Sequence, residues 1–286
     1  MAKVLVVTSG KGGVGKTTST AALGAALAQM GEKVVVIDFD VGLRNLDLVM
    51  GAERRVVFDL INIVQGVAKL SQALIRDKRL ENLWLLPASQ TRDKDALTDD
   101  GVGNIIAELR TNFDWILCDS PAGIERGALL AMRYADEAVI VTNPEVSSVR
   151  DSDRIIGMLD SKTVKAERGE RLEKHVLITR YDSARASRGE MLSIDDILEI
   201  LATPLLGIIP ESQEVLLASN VGSPVTLNNA ASAPARAYTD AVRRLMGETV
   251  TMTVPVERKG LMNRLRTVLR RRPLKSLDLG PASPVY

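Results

Sequence analysis

The chain has very little of the chemistry that cross-links small secreted proteins or builds metal clusters. Among its 286 residues there is one cysteine, Cys118, and one histidine, His175, and aromatic residues make up only 3%. A single thiol excludes a disulfide framework and any cysteine-ligated metal cluster within one chain. We therefore predict a buried thiol at Cys118 and a strand-end position, rather than a ligand or base, at His175.

Long apolar runs are also missing from the sequence. No stretch approaches the roughly 18 consecutive apolar residues of a membrane span. Residues 1–3 lead only into a short apolar run, unlike a signal peptide, so the expected location is the cytoplasm. With 45% hydrophobic residues, the chain can nevertheless bury a sizeable core.

The net charge of +1 hides an uneven distribution of charge along the chain. Residues 258–275 contain eight Lys and Arg residues and no acid, and Asp278 is the only charged residue after them, which leaves a net charge of −6 on residues 1–257. An acidic body argues against a broad nucleic-acid-binding face there. The basic end indicates an anionic partner instead.

Seven short apolar runs alternate with segments that have the apolar spacing of helices. Because these runs are continuously apolar, both faces of their sheet are expected to be covered by helices. The sequence therefore predicts an α/β fold, a doubly wound and mostly parallel sheet of about seven or eight strands. The predicted strands are residues 4–7, 34–37, 83–86, 115–118, 138–141, 176–179 and 205–209, and the predicted crossover helices are residues 17–30, 102–110, 149–159 and 194–201.

The segment GKGGVGKT at residues 10–17 fits the phosphate-loop pattern G-x-x-x-x-G-K-[ST] between the first predicted strand and the first predicted helix. In such a loop, backbone N–H groups and the helix N-terminus point at phosphate oxygens. Lys16 would reach the outer phosphates, and the Thr17 hydroxyl would bind Mg²⁺. The predicted nucleotide-binding residues here are Gly10, Lys11, Gly12, Gly13, Val14, Gly15, Lys16, Thr17 and Thr18.

Acidic residues follow two of the predicted strands. Asp38 and Asp40 come directly after the second strand, and Asp119 comes after the fourth. The carboxyl ends of parallel strands meet at the edge where ligands of this fold bind. Carboxylates at that edge can hold Mg²⁺ directly or through water. The sequence predicts a magnesium site from Thr17, Asp38 and Asp119, although each acid taken alone also suits a helix cap or a turn.

A second lysine, Lys11, lies inside the glycine loop. Together with the acids at 38 and 40 and the segment DSPAG at 119–123, it resembles the deviant Walker A ATPases of the ParA/MinD family. The similarity extends to about residue 247 and is most specific to the branch of that family that selects the cell-division site. It is carried by residues 37–51, 88–98, 119–125, 142–155, 177–182 and 207–211.

This resemblance implies an ATP-sandwiched dimer in which Lys11 reaches the phosphates of the partner subunit. Two facing triphosphates repel each other, so a lysine from the opposite subunit would make dimerisation depend on ATP. The family's catalytic residues fall on Lys11, Lys16 and Asp40, with Asp40 positioning or activating the attacking water. The implied activity is Mg²⁺-dependent hydrolysis of ATP to ADP and phosphate. It is expected to be slow without a partner, because no arginine finger in cis follows the loop.

The same resemblance implies roles for residues further along the chain. The family's adenine pocket lies on the loops after the last strands, which places Arg180 and Pro210 beside the base. Asp151 and Asp153 fall near the dimer surface that the family uses for the division inhibitor MinC and the activator MinE. Without the resemblance, these two acids suit an ordinary capped and solvated helix start.

Residues 258–272, RKGLMNRLRTVLRRR, have the pattern of a basic amphipathic helix. The pattern alone also suits a helix packed on the body or a solvated basic end, whereas the resemblance implies a membrane-targeting helix. Its lack of Phe and Trp predicts weak insertion and a dependence on anionic lipid. The predicted membrane-contacting residues are Leu261, Met262, Arg264, Leu265, Arg266, Val268 and Leu269.

The predicted organisation is an ATPase domain at residues 1–247, a connector at 248–257, the amphipathic helix at 258–272 and a flexible tail at 273–286. The implied location is the cytoplasm and, peripherally, the cytoplasmic face of the inner membrane. Two other functions would suit the same features. One is a ParA-type partitioning ATPase whose tail binds DNA, which the acidic body disfavours, and the other is a regulator of flagellar number.

Overall fold

The computed structural model describes residues 2–90 and 96–255. The predictions for the amphipathic helix, its membrane-contacting residues 261–269 and the tail at 273–286 lie outside the described residues. Residues Met1–Pro255 form one compact unit. Within the described part of the chain, helices long and apolar enough to cross a membrane are absent.

Eight strands form one sheet. In chain order they are β1 (Lys3–Thr8), β2 (Val34–Asp38), β3 (Ile75–Arg76), β4 (Leu83–Leu86), β5 (Trp115–Asp119), β6 (Glu137–Thr142), β7 (Glu173–Tyr181) and β8 (Leu205–Pro210). Across the sheet the order is β3-β4-β2-β5-β1-β6-β7-β8. All neighbours are parallel except β3, which pairs antiparallel with β4. The predicted mostly parallel, doubly wound α/β sheet is therefore confirmed.

Helices connect the strands and cover both faces of the sheet. The longer ones are α1 (Lys16–Gln29), α5 (Asp99–Arg110), α6 (Arg126–Arg133), α7 (Val146–Lys162), α10 (Ile194–Leu201), α11 (Gln213–Asn220) and α13 (Ala233–Leu245). The shorter ones are α2 (Leu46–Val49), α3 (Leu60–Val64), α4 (Leu70–Ala73), α8 (Val164–Glu167), α9 (Ser183–Ser187) and α12 (Val225–Asn228), and Glu53–Arg55 form a 3₁₀ turn.

The continuously apolar strands are buried because helices pack on both of their faces. Every residue of β2, β5 and β6 is buried. On one face, α1 and α13 pack over the sheet through residues such as Leu23 and Val242. On the other face, α5 and α6 pack through residues such as Ile105 and Leu130. A smaller core between α7, α10 and the last strands includes Ile197.

All seven predicted strands are present. The helix predicted at residues 194–201 has those bounds, and the other three begin or end a few residues away from the predicted positions. Cys118 is buried, as predicted. The strand-end prediction for His175 is wrong, because this residue is the third of β7 and is half-buried there.

Candidate nucleotide and magnesium site

The glycine loop joins β1 to α1 at the edge formed by the C-terminal ends of the parallel strands, which we call the carboxyl edge. Gly13 and Gly15 have φ angles of 76° and 96°, a left-handed conformation that favours glycine. A Cβ at either position would meet no atom within 4 Å, so the loop is open on that side. Gly15 is also the N-cap of α1. The open loop and the free N–H groups of the helix start together form a cradle suited to phosphate.

Lys16 lies at the base of this cradle with only 8% of its surface exposed. Burial lowers the pKa of its ammonium, while the nearby carboxylates of Asp119 and Asp40 act in the opposite direction. Lys16 lines a cavity of about 590 Å³ that is bounded by the loop on one side and by Asp40, Ser120 and α2 on the other. The cation is therefore held where the outer phosphates of a nucleotide would lie.

Two buried carboxylates face the loop from neighbouring strands. Asp38 ends β2 and Asp119 ends β5, and the two residues are paired in register. They are 0% and 1% exposed. Burial raises the pKa of Asp119 to about 6. Burial, followed by repulsion from Asp119, also raises the pKa of Asp38 well above its usual value.

The surroundings of these carboxylates fit a magnesium ion. The Asp119 carboxylate accepts hydrogen bonds from the side chains of Thr17 and, at 3.0 Å, Thr20. A divalent cation beside two buried, mutually repelling carboxylates would relieve their repulsion, and Mg²⁺ prefers carboxylate and hydroxyl oxygens. The three predicted ligands Thr17, Asp38 and Asp119 therefore lie together. Thr20 was not predicted, although its position one turn after Lys16 on α1 could have indicated it.

Asp40 lies just beyond the strand end and lines the same cavity as Lys16. Its backbone N–H donates to the Asp38 carboxylate at 2.8 Å, and its carbonyl accepts the N–H groups of Leu43 and Arg44. Arg44 has a φ of 47° and pairs with the buried carboxylate of Asp47. The turn that carries Asp40 is thus fixed at both ends, and Asp40 faces the space where phosphates would bind.

Lys11 is directed away from this cavity. Its ammonium donates to the carboxylate of Glu145 at 2.8 Å and to the hydroxyl of Ser147 at 3.0 Å. The hydrogen bond from Lys11 lowers the pKa of Glu145 below its usual value. The two lysines of one loop therefore differ in direction: Lys16 points into the site and Lys11 lies on the surface at the start of α7. Both partners of Lys11 lie more than 130 residues further along the chain, so no local pattern around Lys11 indicates them.

Helix α7 packs directly against the start of the loop. A Cβ at Gly10 would collide with the backbone carbonyl of Asp151, so the packing of this helix requires glycine at this position. Asp151 is half-buried there, whereas Asp153 is exposed. Neither acid caps the helix, because the N-cap of α7 is Glu145. The alternative of a capping role for these two acids is therefore wrong.

A second cavity, of about 350 Å³, adjoins the other side of the loop. It is lined by Thr18 from α1, by Arg180 and Pro210 from the ends of β7 and β8, and by one side of α11. Arg180 has a φ of 53° and also lines the first cavity, so it lies between the two. The structure therefore places Arg180 and Pro210 together at the predicted base side of the site. We call the two cavities the phosphate-side and base-side cavities.

The chain is similar to proteins of a known nucleotide-binding family. Residues 5–225 match the CobQ/CobB/MinD/ParA nucleotide binding domain family. The septum site-determining protein MinD of Escherichia coli is 61% identical over 268 residues, which cover 93% of this chain and 99% of that protein.

Solved structures of similar proteins have the same fold. A MinC:MinD cell division protein complex from Aquifex aeolicus contains a chain with a TM-score of 0.78 and 44% identity, covering 90% of this chain and 99% of its own. MinD of Pyrococcus horikoshii, complexed with Mg-ADP, has a TM-score of 0.76 and 30% identity, covering 86% of this chain and 96% of its own.

Proposed function

Because this chain belongs to the CobQ/CobB/MinD/ParA nucleotide-binding family, and within it to the septum site-determining MinD proteins, we propose that it is an ATP-controlled membrane switch for division-site placement. Like its family, the chain is an ATPase and uses ATP with Mg²⁺. In the proposal, Lys16 and the loop hold the phosphates, and Thr17, Asp38 and Asp119 hold the ion. The ion would neutralise charge on the phosphates, while Asp40 orients the attacking water.

The opposite directions of the two loop lysines carry the proposal. Lys16 is buried in the phosphate-side cavity, whereas the side chain of Lys11 is 38% exposed and lies beside Glu145 on the surface. A cation already directed outward can reach the phosphates of a second subunit that faces this edge. ATP, which needs that cation more than ADP does, would then favour a dimer. We infer a homodimer that forms with ATP and separates after hydrolysis.

Membrane attachment would follow from dimerisation. Each basic residue near an anionic membrane contributes on the order of 1 kcal/mol, and a short aliphatic face inserts only partly, so one copy of residues 258–272 should bind marginally. Two copies in a dimer make the second contact intramolecular, which can raise avidity by roughly 10² to 10⁴. The proposed location is accordingly the cytoplasm with ADP and the cytoplasmic face of the inner membrane with ATP.

The proposed protein partners are an inhibitor of the MinC type and an activator of the MinE type. Support for the first comes from the Aquifex aeolicus complex, whose similar chain is bound to MinC. Support for a docking position comes from α7, where the 52% exposed Val146 follows Glu145, the partner of Lys11, and Asp153 is exposed two turns further along. A partner bound there would contact the surface around Lys11, which we propose faces the second subunit.

Cosedimentation with anionic vesicles tests the membrane proposal. The full chain should sediment with ATP and remain soluble with ADP, and a chain ending at residue 257 should remain soluble with both. Lys11→Ala should bind vesicles as weakly with ATP as the wild type does with ADP. Equal binding of the wild type with ATP and ADP would contradict the proposal. So would a salt-sensitive shift of DNA without vesicle binding, which would favour the partitioning function instead.

ATP hydrolysis tests the partner proposal. We expect slow turnover with ATP alone and a marked increase only when anionic vesicles and a MinE-type protein are both present. Each component is omitted in turn, and Asp153→Ala serves as the variant with an altered α7 surface. A rate that is already maximal without vesicles and activator would contradict a partner-controlled switch.

A further inference from the structure

Two loops from different parts of the chain meet beside the nucleotide site at one backbone contact. Gly51 follows α2 and Gly222 follows α11, with φ angles of 64° and 65°. A Cβ on Gly51 would lie 2.6 Å from the Gly222 carbonyl oxygen, and one on Gly222 would lie 2.8 Å from the Gly51 Cα. Both the left-handed conformation and the close approach require glycine at these positions.

Arg79 ties the same two loops together. Its guanidinium donates to the carbonyl oxygen of Met50 at 3.0 Å and to that of Gly222 at 3.1 Å, one acceptor from each loop. The fork of a guanidinium is suited to such paired acceptors. We call Arg79 and its two carbonyl bonds the Arg79 clamp.

A buried carboxylate holds the guanidinium in this position. Asp77 is 8% exposed and accepts hydrogen bonds from the Arg79 side chain at 2.8 and 3.2 Å. Burial alone would raise the pKa of Asp77, but the hydrogen bonds from Arg79 outweigh it and leave the pKa below its usual value. Asp77 therefore stays charged near neutral pH, and the clamp is an ion pair fixed in one geometry.

The two loops end elements that line opposite halves of the nucleotide site. On the phosphate side, the segment 40–51 begins at Asp40, and its helix α2 lines the cavity through Leu48 and Val49. On the base side, α11 lines the cavity through Val215 and Leu216. Helices α2 and α11 also contact each other. The clamp thus joins a wall of the base-side cavity to the segment that carries Asp40.

We propose that Arg79 is a positioning residue for ATP hydrolysis, which couples occupation of the base-side cavity to the position of Asp40. A base held against α11 fixes Gly222, the clamp fixes Met50 and Gly51, and the segment that begins at Asp40 is held for reaction. Arg79 does not line either cavity, so it would act only through these loops. This inference rests on the nucleotide site proposed above.

The kinetic test compares ATP with GTP on the full chain, because only the base differs between them. For the wild type, kcat should be higher with ATP than with GTP. Arg79→Ala should lower kcat with ATP about tenfold, toward the GTP value, while KM for ATP changes less than about threefold. The matched control is Arg76→Ala, whose guanidinium instead bonds to Glu81 and lies over the Trp84 ring. It should leave both constants within about twofold of the wild type.

Hydrogen exchange supplies a readout that a loss of stability would not reproduce. ADP with Mg²⁺ should slow exchange in residues 40–51 and 213–222 of the wild type. In Arg79→Ala, protection of 213–220 should remain and that of 40–51 should fall. Gly222→Ala, which breaks the contact without removing a charge, should give the same pattern and replaces Arg79→Ala if that variant does not fold.

Three results would overturn the inference: a wild-type kcat that is the same for ATP and GTP, a kcat ratio unchanged in Arg79→Ala, or undiminished protection of 40–51 in both variants. Failure of the nucleotide site itself is recognised separately. If Lys16→Ala binds ADP as the wild type does, the site is wrong whatever the behaviour of Arg79.

Discussion

Charged side chains repel each other at one edge of the sheet and form ion pairs at the opposite edge. At the carboxyl edge, Asp38 and Asp119 are buried side by side and repel each other. At the opposite edge, where the strands begin and which we call the amino edge, the ammonium of Lys3 pairs with the buried Glu137 at 2.7 Å. There too, Arg110 pairs with Asp136 at 2.7 Å. Unfavourable charge is thus concentrated where a cationic ligand binds and can relieve it.

Cavity size alone does not distinguish these edges. The amino edge has a cavity of about 600 Å³, similar in volume to the phosphate-side cavity, lined among others by Lys3, Arg110 and Trp115. The charged groups of Lys3, Arg110 and Asp114 are already bonded within the protein, and the ammonium of Lys3 also lies 5.1 Å from the centre of the Trp115 ring. The nucleotide site is therefore distinguished by the repulsion between its buried carboxylates and not by the volume of its cavity.

The largest effect should come from the central cation of the carboxyl edge. Lys16→Ala should weaken binding of Mg-ADP by about 100-fold or more, because it removes the only buried ammonium among the described cavity-lining residues. Isothermal titration calorimetry measures the affinity. Lys11→Ala is the control and should bind ADP within about threefold of the wild type, since Lys11 is directed to Glu145. Equal losses in the two variants would contradict the difference between the lysines.

Asp40→Ala should lower the hydrolysis rate by about 100-fold while ATP-dependent dimerisation remains. Phosphate release measures the first, and sedimentation velocity with ATP and with ADP measures the second. The exposed Asp100, in the first turn of α5, provides the control variant Asp100→Ala. Normal turnover in Asp40→Ala would show that another group positions the water.

At the amino edge, removing a charge should destabilise the protein. Lys3→Met keeps the apolar stem but leaves the carboxylate of Glu137, 7% exposed, without its ion-pair partner. We expect the free energy of unfolding in urea to fall by about 1 to 3 kcal/mol at pH 7.5. The same change at the exposed Lys78 should alter it by less than about 0.5 kcal/mol. A similar change in the free energy of unfolding for both variants would show that the Lys3–Glu137 ion pair does not stabilise the amino edge.

At the carboxyl edge, removing a charge should stabilise the nucleotide-free protein. The raised pKa of Asp38 means that the unfolded chain loses this proton first as pH rises, so ionisation lowers the free energy of unfolding of the wild type. The Asp38→Asn variant has no carboxyl group to ionise at this position, so its free energy of unfolding is not lowered in this way. In urea with EDTA, we expect it to be more stable by about 1 kcal/mol at pH 7.5.

The pH dependence provides the check on this last prediction. The advantage of Asp38→Asn should shrink as the pH falls toward about 4, where the wild-type carboxyl is protonated in the folded state and begins to be protonated in the unfolded state. Adding Mg-ATP should favour the wild type instead. A variant that is less stable at pH 7.5 without nucleotide would show that the hydrogen bonds of Asp38 outweigh the repulsion.

The sequence was sufficient for the parts of the fold that a short local pattern specifies. The buried parallel strands are continuously apolar, so all seven were predicted. The two residues of β3 are too few to show any pattern, and their antiparallel pairing with Leu85 and Trp84 depends on tertiary contact. Helix α13 was missed, although Ser232 caps it and Pro234 lies in its first turn, a signal that local reading could have used.

For the site, the sequence specified residue types but not directions. The pattern placed Lys11 and Lys16 in one loop, and only the structure shows that one points outward and the other inward. The Arg79 clamp could not be predicted, because its acceptors at Met50 and Gly222 are 29 and 143 residues away from the arginine and are backbone atoms. Every residue has a backbone carbonyl, so the sequence does not indicate which carbonyls accept these hydrogen bonds.

The close approach of Gly10 to Asp151, which excludes a side chain at Gly10, couples the phosphate loop directly to α7. The atoms of α7 closest to Gly10 are the carbonyl group and the Cβ of Asp151, so a displacement of α7 there would move the loop with no long, flexible side chain between them. A protein that binds α7 at the exposed Asp153 could therefore displace the phosphate loop by moving this helix. A partner bound to the exposed side of α7 would therefore be separated from the phosphate loop by this one helix.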